Sequence, residues 1–138
     1  QQLDFGTLYT IRLARLLFSR AHPEGGRFIA LGSSVGSHKP VISLAAYSLG
    51  KSALENTVSL LAPELARKHI TINAICPSFV PVGIHEGATE SQRRRETAQA
   101  PIGRLCMPED IVGLVRFLMS PVASYVSGQA IGLTGAEL

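Results

Sequence analysis

Tyr47 and Lys51 stand four residues apart, and Ser34 precedes the tyrosine by thirteen. If the stretch 45–51 (Ala-Ala-Tyr-Ser-Leu-Gly-Lys) is helical, the phenol and the ammonium lie one turn apart on one face and can address one pocket. A free phenol titrates near 10, too high for proton exchange at neutral pH, and a general acid works best with a pKa near the working pH. A cation at about 5 Å stabilises the phenolate by on the order of 3 kcal/mol at an effective dielectric of roughly 20. That is roughly two pKa units before desolvation opposes it. The spacing therefore permits an acid/base device. Tyr-x-x-x-Lys alone is common by chance, and a helix-start tyrosine, a surface lysine and a turn serine would look the same.

The elements that must position these groups can be read around them. The run 27–32 (Arg-Phe-Ile-Ala-Leu-Gly) is apolar without polar alternation, which predicts a strand covered on both faces in a parallel sheet. It would deliver Ser33 and Ser34 to its C-terminal end, where open α/β sheets bind ligands. After a loop over 36–43, whose His38 and Lys39 are expected to face solvent, with substrate contact as the alternative, a long helix is expected from about 44 to 68. Pro63 falls inside it and should kink or break it. Residues 70–75 (Ile-Thr-Ile-Asn-Ala-Ile) read as a second strand, rich in β-branched side chains.

An amphipathic helix over 4–20 is expected from Leu8, Ile11, Leu16 and Leu17, ended by the stretch 21–26, where His22 reads as a surface residue. Residues 89–100 form a polar helical piece whose Arg93, Arg94 and Arg95 cannot share one face and read as solvated. A helix over 108–119, with Pro108 in its first turn, is expected to bury Ile111, Val112, Val115 and Leu118. A third strand follows at 130–134.

Ser-(twelve residues)-Tyr-(three residues)-Lys after an apolar strand resembles the active site of the short-chain dehydrogenase/reductase family. Asn73 and Pro77 resemble that family's IxVNxxxPGxxxT segment, and 101–105, 108–112 and Gly135 resemble its later motifs. The resemblance implies an α/β, Rossmann-like fold, here the C-terminal half of a doubly wound parallel sheet with about three strands and flanking helices. Right-handed crossovers are expected.

The resemblance further implies NAD(P)-dependent carbonyl/alcohol oxidoreduction. Tyr47 would handle the proton, Lys51 would lower its pKa and hold the cofactor ribose, and Ser34 would orient the carbonyl. Tyr47, Lys51, Pro77, Ser78, Val80 and Val82 are the implied contacts of NAD or NADP, with a small carbonyl or alcohol as substrate.

Four positions depart from the family pattern. Ser78 and Val82 stand where it has glycine and threonine, Leu3 stands where its fourth catalytic residue, an asparagine, belongs, and Ala136 stands where the closing turn has a second glycine. No Gly-rich dinucleotide fingerprint follows a strand, and the chain begins on Gln1 inside a helical pattern. These observations make residues 1–138 a single partial Rossmann-like domain cut from a longer protein, inactive alone. The competing expectation is a truncated, non-catalytic module kept for oligomerisation or binding.

The 138 residues are enough for one compact domain, and 46% hydrophobic residues argue against disorder. A net charge of +3 without a long basic run argues against nucleic acid. Cys76 and Cys106 lack metal-ligand spacing along the chain, so no metal is expected, and they read as reduced thiols of a cytoplasmic protein. No apolar run has spanning length. By the family pattern, the helices at about 4–20 and 44–68 should pair copies into a homodimer or homotetramer.

Overall fold

The computed structural model describes residues 2–19 and 24–137; the side chains of residues 2–5, Phe18 and Ile84 fall outside that description, as does His22 entirely. The order of the main elements is α1 (Gln2–Phe18), β1 (Gly26–Leu31), α2 (Ala45–Ala66), β2 (Ile70–Pro77), α3 (Glu90–Gln99), α4 (Pro108–Met119) and β3 (Ala130–Leu133). Short 3₁₀ turns lie at Ile42–Leu44, Gly83–His85 and Pro121–Ala123.

The three strands form one parallel sheet in the order β1-β2-β3. Gly26 pairs with Ile70 and Leu31 with Ile75 on one side of β2, while Ala74 pairs with Ala130 and Pro77 with Leu133 on the other. Every residue of β2 is buried, as a central strand covered on both faces requires.

The two-residue period of the strands divides the core. Ile70, Ile72, Ala74 and Cys76 face α2, where they pack with Leu54, Val58, Ala62 and Leu65, and α1 adds Ala14 behind them. Ile75 faces the other way, against Leu118, Ala123 and the partly buried Ile111, Leu114 and Val115 of α4. Helices therefore cover both faces.

Several expectations need correcting. β1, at the open edge of the sheet, is only partly buried rather than covered throughout, with Leu31 60% exposed. On α1, Leu8 and Leu16 are exposed and the inward residues are Thr10, Ala14 and Leu17, since close approach of α1 to α2 favours small side chains. On α4, Val112 is exposed and Leu114 packs in the core. Pro63 does not break α2, which runs on to Ala66.

Candidate functional site

Ser34 is delivered by continuation of the β1–β2 ladder beyond the end of β1. Gly32 donates its N–H to the Ile75 carbonyl (2.7 Å), and Ser34 donates to the Pro77 carbonyl (2.9 Å). The Ser34 carbonyl accepts from the Lys39 N–H (2.7 Å), which starts the turn away from the sheet. Ser34 is buried, so its position is held by backbone bonds on both sides.

Tyr47 occupies the third position of α2, and Lys51 follows one turn later. The Lys51 ammonium lies 5.6 Å from the centre of the Tyr47 ring, within cation–π range. It donates to the Leu31 carbonyl at 3.3 Å. The lysine thus links the tyrosine to the carboxyl end of β1, three residues before Ser34. The connecting loop is tied to the helix, because the buried Ser48 hydroxyl accepts from the Val41 N–H (3.3 Å).

Pro77 and Ser78 lie at the same end of the sheet. Pro77 is buried and its carbonyl holds Ser34; Ser78 donates to the Leu133 carbonyl (3.1 Å). Val80 and Val82 stand farther out on the loop after β2, joined by a bond from the Val82 N–H to the Val80 carbonyl (2.8 Å). The strand ends bring Ser34, Pro77 and Ser78 together, and α2 brings Tyr47 and Lys51.

Asn73, part of the family-like motif, is 1% exposed and cross-links the sheet: its amide donates to the Val126 carbonyl and its oxygen accepts from the Gln129 N–H. Ser78 also lines a cleft of about 220 Å³ with Arg104, Cys106, Asp110, Thr134 and Gly135. There Arg104 grips Asp110 through two bonds (2.6 and 2.8 Å), and Asp110 also accepts from the Met107 N–H. The Arg104 bonds and that N–H hold the Asp110 carboxyl down at about 2. Burial pushes the Cys106 thiol up, and the Asp110 carboxylate adds to it.

Other expected solvent groups are engaged. Lys39 bonds Gln99 (2.6 Å) and pairs with Glu137, tying the Ser34 turn to α3 and to the C-terminal segment. Arg93 donates to the Ala88 and Glu86 carbonyls, and Arg94 pairs with Glu90 at the surface.

Glu55 went unnoticed in the sequence. It is 5% exposed, one turn beyond Lys51, and accepts the Ser37 N–H (3.2 Å). The continuing period of four after Tyr47 and Lys51 was its only signal.

Residues 5–135 match the family profile described as enoyl-(acyl carrier protein) reductase. The chain belongs to the short-chain dehydrogenase/reductase family. It is 30% identical over 138 residues to the cattle (Bos taurus) protein named dehydrogenase/reductase SDR family member 4, covering 99% of this chain and 50% of the relative.

Two solved members of this family of oxidoreductases resemble it in structure. An actinorhodin polyketide ketoreductase with NADPH matches with a TM-score of 0.74 and 32% identity, over 80% of this chain and 46% of that one. A 7α-hydroxysteroid dehydrogenase with NADH and a 7-oxo bile acid conjugate matches at 0.78 and 28%, over 91% and 48%. The chain spans about half the length of the curated relatives it matches.

Proposed function

We propose that this chain carries the proton-transfer half of an NAD(P)-dependent reductase or dehydrogenase that interconverts a small carbonyl compound and its alcohol. The single observation that carries this reading is the link made by Lys51, from the face of Tyr47 to the Leu31 carbonyl, at the sheet end where Ser34 is buried. Tyr47 gives its phenolic proton to the carbonyl oxygen in reduction and takes it back in oxidation. Lys51 places a cation beside the Tyr47 ring, and the Ser34 hydroxyl orients the carbonyl by a hydrogen bond.

The residues fit the nicotinamide end of the cofactor. The Lys51 ammonium has three donors, of which Leu31 takes one, so Lys51 and Tyr47 can hold ribose hydroxyls while Pro77, Ser78, Val80 and Val82 border the ring. When bound, the nicotinamide supplies or accepts the hydride. None of the 138 residues forms a Gly-rich phosphate loop, so we assign residues 1–138 to a partial Rossmann-like domain without turnover by itself.

The test is Tyr47→Phe in the preparation that turns over a ketone with NADH or NADPH. A fall of at least about a hundredfold, with the unfolding midpoint kept, is expected. Near-normal turnover would overturn the assignment.

A second reading is a non-catalytic module kept for association. Its support is the exposed apolar surface of α1 and α2, where Leu8, Leu13, Leu16, Leu49 and Leu60 all face outward. Under either reading we propose a homodimer or homotetramer joined through these helices, in the cytoplasm. Among the described residues no helix is long and apolar enough to cross a membrane.

A further inference from the structure

Cys76 lies in the middle of a row of three residues across the carboxyl end of the sheet. It pairs with Gly132 on β3, and the ladder, carried one step beyond β1, sets Gly32 on its other side. Both neighbours lack side chains, so the row is a notch with a thiol at its centre. A Cβ on Gly32 would stand 2.7 Å from the Cys76 sulfur, and one on Gly132 would stand 2.6 Å from the His38 ring.

Two further donors roof the notch. Glu55 comes down from α2, and Gly36 makes room for it: a Cβ there would meet the Glu55 Oε1 at 2.0 Å. His38 comes from the turn that follows Ser34. One ligand atom from each of His38, Glu55 and Cys76 lies within 4.8 Å of the others. Three glycines, two on the connection after β1 and one on β3, thus clear the space in which one nitrogen, one oxygen and one sulfur converge.

We propose that His38, Glu55 and Cys76 form a binding site for a divalent transition-metal ion, zinc by its donor set. Imidazole, carboxylate and thiolate are all zinc ligands, and three protein ligands leave a fourth tetrahedral position for water or another oxygen. Ligands about 2.0 to 2.3 Å from zinc stand roughly 3.5 Å apart, so the cluster closes by about 1 Å at its widest. His38 is exposed at the rim and can move that far, while Glu55 and Cys76 are fixed by the core.

Glu55 brings a carboxylate to the cluster, whereas burial, then that carboxylate, push the Cys76 thiol up to about 12, so the thiol is protonated until an ion displaces its proton. Binding breaks the S–H bond and forms the Zn–S bond, with the proton passing to buffer. The ion would join the turn bearing Ser34 to α2 and β2. This inference stands independently of the oxidoreductase reading.

The test is calorimetric titration of the 138-residue chain with zinc chloride in two buffers of different ionisation enthalpy, and with cobalt(II) chloride followed by absorption. We expect one ion per chain, release of about one proton per zinc at neutral pH, and a sulfur-to-cobalt charge-transfer band. His38→Ala should weaken zinc by at least about tenfold, while His85→Ala leaves it unchanged.

The band should survive Cys106→Ser and vanish in Cys76→Ser. Should that last variant fail to fold, Gly132→Ala, which drives the imidazole from its notch without removing a donor, should weaken zinc instead. Absence of binding, binding indifferent to His38→Ala and Gly132→Ala, or a band that follows Cys106 would each overturn the proposal.

Discussion

Of the described glycines, Gly36 is the one at which an added Cβ would come nearest to another atom, 2.0 Å from Glu55 Oε1. Gly36 allows the Glu55 carboxylate to reach the Ser37 N–H, and a Cβ there would overlap Oε1. Gly36→Ala should therefore displace a buried carboxylate from its donor and cost about 1 to 3 kcal/mol, read by urea unfolding. A loss below about 0.5 kcal/mol would show that the turn yields freely. The placement of Tyr47 and Lys51 one turn apart on α2 was legible in the sequence because a period of four is visible in the letters. His38, Glu55 and Cys76 were not, since each comes from a different segment and only the sheet ladder makes them neighbours. Asn73 was noticed for its motif, but its bonds to Val126 and Gln129 depend on a return of the chain that no local pattern encodes.

Among the elements, α4 was read with its observed bounds, because Pro108 and the acidic Glu109 and Asp110 mark its start plainly. Its cap carries a pH dependence. Asp110 has its folded pKa lowered from 3.8 to about 2, first by the Arg104 hydrogen bonds and then by the Met107 N–H. A depressed carboxylate stabilises the fold above its unfolded pKa and loses that stabilisation as pH falls toward the folded value. Unfolding free energy should thus fall between roughly pH 4 and 2, and Asp110→Asn should flatten that limb; an unchanged limb would remove Asp110 as its source. In α2, Leu65 is 0% exposed, and Leu65→Ala should cost about 2 to 5 kcal/mol by thermal or urea melting. The inward face of α1 was misread because its pattern offers more large apolar positions than one contact with α2 can take. The small residues Thr10 and Ala14 win the contact, and which stripe turns inward is decided by the neighbour.

At the scale of the whole molecule, the doubly covered parallel sheet was legible from its unbroken apolar strands, and the open edge of β1 from the family's strand order, which gives it no second neighbour among these residues. That edge leaves Leu31 largely exposed beside a row of backbone groups open to another strand. With the apolar outer faces of α1 and α2, it predicts self-association. Light scattering at roughly tens of micromolar should report a dimer or larger species, the range in which a modest apolar interface forms. A monodisperse monomer would count against both surfaces.

The parallel ladder sets the tempo of folding as well as its outcome. Among the described residues no two strands are joined by a hairpin: Gly26 must find Ile70 across α2, and Ala74 must find Ala130 across α3 and α4. Contacts of such sequence separation are late rewards for an early loss of chain entropy, so refolding should be slow beside that of helical proteins of this size. The helices can form first, but none can settle until β2 offers both of its faces. A nascent chain would therefore hold α1 and β1 in waiting until the middle strand has been made.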